Sequence, residues 1–148
     1  MISSIDGGCL PDVNVRIALV SDRHEHHAIA RSWFDSVVGP VLFCRVTQMA
    51  FFRLLTNGKV MGEDRLSPAG ALFTYSHLVT DQRVHFASEP YEIENTWTAL
   101  MSAPLASGSA WTDAYPVAFS SGAGVRLVTF DRGMRRWPSG DLEILKPS

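Results

Sequence analysis

The stretch Val125-Arg126-Leu127-Val128-Thr129-Phe130-Asp131 sets the architecture: a β-rich apolar run that stops on a carboxylate. Cys9-Leu10-Pro11-Asp12-Val13 repeats the pattern in shorter form near the other end of the chain. Both read as buried strands that deliver an Asp at their C-terminal ends. Further short strand candidates are Val41-Leu42-Phe43-Cys44, Val84-His85-Phe86 and, as an edge strand, Leu142-Glu143-Ile144-Leu145.

The intervening segments read as helices. Between Asp22 and Val38, Ala30, Trp33, Phe34 and Val37 recur at i, i+3, i+4, i+7, and Asp22 with Glu25 resembles a capping pair. Thr47 is expected to open a second helix with Ala50, Phe51, Leu54 and Leu55 as its stripe, ended by Asn57-Gly58 in left-handed conformation. Further helices are predicted over 67–80, 91–101 and 109–121, the last opened by Ser109 and closed by Gly122 and Gly124, with loop over 104–108. Strands alternating with helical crossovers imply an α/β fold, a central parallel sheet with helices on both faces. Sites in such sheets form at the carboxyl ends of strands, where Asp12 and Asp131 both stand.

Asp113, near the start of the last long helix, faces the same rim. Converging carboxylates repel one another and retain protons unless a cation neutralises them. An all-oxygen set without His or Cys selects a hard ion, magnesium or manganese, over zinc. Such an ion orients water and stabilises charge on a phosphodiester. Taken singly, each Asp reads more readily as a helix cap or strand end.

At 148 residues and 46% hydrophobic content the chain suits a single domain spanning 1–148. The net charge of −2 gives no global attraction to nucleic acid, so an RNA partner needs a local basic patch. The cations are mostly Arg, with only Lys59 and Lys146 as lysines. Cys9 and Cys44 lie in apolar runs without CxxC spacing and read as buried reduced thiols, which fits a cytoplasmic protein. There is no apolar run of about 18 residues to span a membrane.

Longer strings carry a resemblance. Leu10-Pro11-Asp12-Val13-Asn14-Val15, then His24-Glu25-His26-His27 with Trp33-Phe34, then 47–57 from Thr47-Gln48 to Asn57, and finally Trp111-Thr112-Asp113-Ala114-Tyr115 and Leu127-Val128-Thr129-Phe130-Asp131-Arg132-Gly133 are similar to the PIN-domain toxins of VapBC systems. The resemblance covers most of the chain, in order. It implies the PIN fold, a three-layer α/β/α domain, and the toxin of a type II toxin-antitoxin pair: a divalent-metal endoribonuclease, homodimeric, restrained by a VapB-like antitoxin. Carried over by position, Asp12, Asp113 and Asp131 become the catalytic, metal-binding acids, for Mg2+ or Mn2+. Asn14 and Thr129 orient them, and Thr47 borders the pocket.

One departure stands out. Where the family carries a further Glu, this chain has Gln48, with Ala50 at the other position a Glu occupies. Gln48 is expected to contribute an amide oxygen without charge. The alternative function is therefore a catalytically impaired PIN module that binds RNA or protein.

Pro11 removes a donor from a central strand and Pro116 is awkward inside a helix. Arg53, Arg132, Arg135 and Arg136 are candidates for an RNA groove, with Trp137 for base stacking. Trp33, Trp97 and Trp111 read as core. His24, His26 and His27 read as surface residues far from the strand ends rather than as metal ligands. Gly122-Ala123-Gly124 precedes a strand and is no dinucleotide fingerprint. A receiver domain would need paired acids and a late Lys that the sequence does not place.

Overall fold

The computed structural model describes residues 7–102, 108, 110–138 and 140–146. Five parallel strands, β1 (Cys9–Pro11), β2 (Val41–Phe43), β3 (Val84–Phe86), β4 (Arg126–Thr129) and β5 (Leu142–Ile144), form one sheet in the order β3-β2-β1-β4-β5. The two strands expected to deliver acids, β1 and β4, are central neighbours. The topology therefore brings Asp12 and Asp131 to one rim although they lie far apart in sequence.

Side-chain alternation splits the apolar residues between two layers. Cys9, Val41, Phe43, Val84 and Val128 face α1 (Val13–Val20), α2 (His27–Ser36), α3 (Arg45–Leu55) and α5 (Pro68–Leu78). Leu10, Leu42 and Leu127 face α6 (Ile93–Met101) and α7 (Ala110–Ala123). A short α4 (Gly58–Met61) and 3-10 turns at Gly62–Asp64 and Arg132–Arg136 complete the elements. Among the described residues no helix is long and apolar enough to cross a membrane.

Several boundaries differ from expectation for local reasons. The helix expected from Asp22 begins only at His27, because Val13–Val20 forms its own helix directly after Asp12. Asp22 and Glu25 sit in the connecting turn and cap nothing; His26 holds the N-cap position without a side-chain hydrogen bond. Asn57-Gly58 does not end α3 in left-handed conformation: Asn57 caps α4 through the Lys59 N–H (2.8 Å), and the positive φ falls at Gly62. Glu92, at φ 66, delays α6 to Ile93. The Ser109 cap and the loop over 104–107 lie outside the described residues; Gly124, at φ 69, follows α7 as anticipated.

Pro11 has an unforeseen partner. The Cys9 N–H reaches Pro40 O on the β2 side (2.8 Å) and the Asp12 N–H reaches Val128 O on the β4 side (2.7 Å), so an N–H at position 11 would point back towards β2. Proline supplies none, and the Leu42 carbonyl there accepts instead from the guanidinium of Arg16, which is 1% exposed and stacked 3.6 Å over the Phe43 ring. Nε and Nη1 of Arg16 are buried without hydrogen-bond partners, and burial pushes its pKa down to about 9. Both cysteines are free and buried, and burial raises the Cys9 thiol to about 11, which keeps it protonated and unreactive.

Candidate active site

Asp12 is built in by three constraints. Its main chain continues the ladder to Val128, its Oδ1 accepts the Val13 N–H that opens α1 (2.8 Å), and its Oδ2 accepts the Thr129 hydroxyl (2.9 Å). Thr129, fully buried at the end of β4, also accepts Asn14 Nδ2 (3.2 Å) and the Asp131 N–H (3.0 Å). Asn14 Oδ1 in turn takes the Phe130 N–H (3.3 Å). One hydroxyl therefore locks the Asp12 carboxylate to the main chain of Asp131. The spacing Asp12-x-Asn14 works because β1 passes directly into α1, and the second residue after Asp12 faces back to β4.

Asp12, Asp113, Thr47, Ala50, Arg53 and Pro116 line a cleft of about 330 Å³ at this rim. A larger cavity of about 490 Å³ between α2 and α5 has none of the strand-end acids. Burial raises the Asp12 carboxyl pKa; hydrogen bonds from Thr129 and Val13 oppose the shift, and the negative charges of Asp113 and Asp131 reinforce it. Three acids thus share one field, as a cation-binding set of hard oxygen donors requires.

The carboxylates are nonetheless not gathered as they stand: among the described residues no group of three His, Cys, Asp or Glu side chains is placed to hold an ion. Asp113 Oδ2 is paired with Arg136 Nη2 at 3.0 Å, and Asp131 Oδ1 accepts the Gly133 N–H at 2.8 Å, capping the turn that follows β4. The donor chemistry of Asp12, Asp113 and Asp131, all carboxylate oxygens, fits a hard divalent ion.

Comparison with known proteins decides the family. The chain is 34% identical over 142 residues to Ribonuclease VapC41 of Mycobacterium tuberculosis, covering 92% of this chain and 97% of that protein. The chain belongs to the VapC ribonuclease family. Ribonuclease VapC38 of the same organism is 33% identical over 144 residues, covering 92% of this chain and 96% of the relative. The fold matches the crystal structure of M. tuberculosis VapC20, a sarcin-ricin loop cleaving toxin, with TM-score 0.69 at 15% identity over 93% of this chain and 99% of that one. It matches equally VapBC2 from Rickettsia felis bound to a promoter DNA fragment, at TM-score 0.69 and 9% identity over 94% and 99% of the chains. No family model matches the sequence.

Within this VapC framework some expected residues fall elsewhere. Gln48 does not line the cleft: its amide oxygen accepts from the Arg45 guanidinium one turn away on α3. Ala50, the other position at which the resemblance expects a Glu, lines the cleft. Thr47 lines the cleft and accepts the Cys44 N–H (3.0 Å), which fixes the start of α3 two residues before its expected position. Arg53 lines the cleft with Asp12 and Asp113. Arg132 and Arg135 are exposed on the turn after β4, without an ion-pair partner among the described residues.

Trp137 is 7% exposed within the α6–α7 core layer, so it offers no face for base stacking. Trp33 is core as expected, whereas Trp111 is 43% exposed beside Asp113. The histidines are closer to the rim than expected: the His26 ring stacks on Phe130 at 4.8 Å, directly between Thr129 and Asp131. His27 Nδ1 donates to Ala18 O (2.8 Å), tying the start of α2 to α1. Sequence reasoning missed the structural role of Arg16. The signal was there, a single Arg in the apolar run Val13–Val20 a few residues after a strand proline.

Proposed function

We propose that the chain is a VapC toxin that cleaves RNA phosphodiester bonds, with Mg2+ or Mn2+ held by Asp12, Asp113 and Asp131. The observation that carries this reading is the Thr129 hydroxyl, which orients the buried Asp12 while engaging Asn14 and the Asp131 main chain. So much hydrogen bonding around one carboxylate exceeds what a helix cap needs, and fits the outer layer that orients ligands at a metal centre.

When bound, the ion polarises the phosphodiester and lowers the pKa of an attacking water. Asp12 is held in one rotamer by Val13 and Thr129, so it meets the cation without further ordering. Arg53 in the cleft lining, together with the exposed Arg132 and Arg135 on the turn after β4, supplies the local positive charge for the RNA backbone that the net charge of −2 lacks. The partner is a VapB-like antitoxin, a reading supported by fold likeness to the toxin-antitoxin structures VapBC2 of R. felis and VapBC-1 of nontypeable Haemophilus influenzae. The toxin acts in the cytoplasm as a homodimer.

The deciding experiment incubates the purified chain with total RNA, with and without magnesium, beside Asp12→Asn. Cleavage that needs magnesium and is lost in the variant is expected. Magnesium-independent cleavage, or an equally active variant, refutes the metal assignment. RNA binding without cleavage by the parent chain would instead support the impaired module.

A further inference from the structure

Arg136 stands at the end of the same turn that Asp131 begins. Asp131 caps that turn through the Gly133 N–H (2.8 Å), and Arg136 closes it with Nη1 on Gly133 O (3.0 Å) and its guanidinium 4.9 Å over the Trp137 ring. The other arm of the fork, Nη2, reaches across to Asp113 Oδ2 at 3.0 Å. Two of the three rim acids are thus engaged by one five-residue element: Asp131 starts it and Asp113 binds its end. The pair is solvent-accessible, with side chains 48% and 46% exposed, so it can open at small cost.

We propose that Arg136 is an exchangeable counter-charge for Asp113: it holds this carboxylate when no cation is present, and is released to the RNA phosphate when a divalent ion takes the carboxylate. The inference rests on the reading that Asp113 is a metal-binding acid. Two observations favour exchange over a permanent ion pair. The acids are not gathered to hold an ion as they stand, and the contact that occupies Asp113 is Arg136. Trp137 and Gly133 also support the guanidinium independently of Asp113, so the side chain keeps a defined place at the rim after the carboxylate leaves it. A planar fork so placed is suited to a phosphate. Loading and substrate capture thereby become coupled: the cation that equips the site also frees the arginine that binds the RNA.

The test is Mn2+ binding by calorimetry to the full chain without RNA, together with the kinetics of oligoribonucleotide cleavage at saturating Mn2+. Arg136→Met keeps an apolar contact to Trp137 and removes the competitor, so Mn2+ should bind about threefold to tenfold tighter, while KM for RNA rises about fivefold with a smaller change in kcat. Arg135→Met removes the same charge from the same turn without touching Asp113 and should tighten Mn2+ less than about twofold. Structural damage would weaken both ligands, so opposite signs for ion and RNA are the signature of exchange. Unchanged or weaker Mn2+ binding in Arg136→Met, an equal gain in Arg135→Met, or tighter Mn2+ with unaltered KM would each overturn the proposal. Asp113→Asn separates the two levels. If it leaves Mn2+ affinity unaltered, the assignment of Asp113 falls and the exchange with it; if it weakens Mn2+ while Arg136→Met does nothing, only the exchange is refuted.

Discussion

Pro11 and Arg16 should be energetically coupled, and the structure fixes the sign. The Leu42 carbonyl is buried between β1 and β2, where proline offers no N–H, and Arg16 Nη2 is its donor. Replacing Arg16 with Leu removes an unpaired buried charge, which stabilises, but leaves that carbonyl without a donor, which costs about 1–3 kcal/mol. In a Pro11→Val background the strand itself supplies the N–H, so the same substitution carries only the favourable part. The double-mutant cycle should therefore show Arg16→Leu less harmful, or more stabilising, in the Pro11→Val background than in the parent chain, by about 1–3 kcal/mol. Urea unfolding of the four proteins at pH 7, with similar m-values throughout, measures this directly. A coupling energy below about 0.5 kcal/mol would show that Arg16 does not stand in for the missing strand donor.

Three further outcomes follow from the site. Without metal, the raised pKa of Asp12 means that the folded state holds this proton more tightly than the unfolded chain; stability should fall as pH rises from the ordinary Asp range through the folded pKa, with the penalty fully present above it. Asp12→Asn should flatten that limb of a Tm-against-pH curve and abolish cleavage, whereas an unchanged pH dependence would place the penalty elsewhere. Thr129→Val removes the hydroxyl shared by Asp12, Asn14 and Asp131, and should cost about 1–3 kcal/mol in urea unfolding and about tenfold to a hundredfold in cleavage rate; a variant with parental turnover would deny Thr129 its orienting role. Ala50→Glu should lower the magnesium concentration needed for half-maximal cleavage and Gln48→Glu should leave it unaltered, because Ala50 lines the cleft and Gln48 is held by Arg45; the reverse order in a magnesium titration refutes this placement.

The layer architecture and the positions of the acids were legible in the chain before any folding was known. Near-continuous apolar runs ending in Asp12 and Asp131 carry their own geometry, because a buried strand that meets a carboxylate ends at a solvated rim, and parallel topology puts all such ends together. Helix starts were less legible: the apolar stripe around Ala30 and Phe34 is genuine, but the segment Val13–Val20 is buried so nearly all round that it has no stripe to read. On α3 the residues Thr47, Ala50 and Arg53 recur at i, i+3, i+6 and share the cleft face, whereas Gln48 lies off that row and meets Arg45; the spacing thus separated Gln48 from Ala50, but only the packed structure decided which row faces the acids. The ties from Arg16 to Leu42 and from Arg136 to Asp113 join residues 26 and 23 positions apart on different elements. Local propensity carries no information about such contacts; they exist because an unpaired carbonyl and an uncompensated carboxylate each draw in the nearest guanidinium, and only the packed structure brings one within reach.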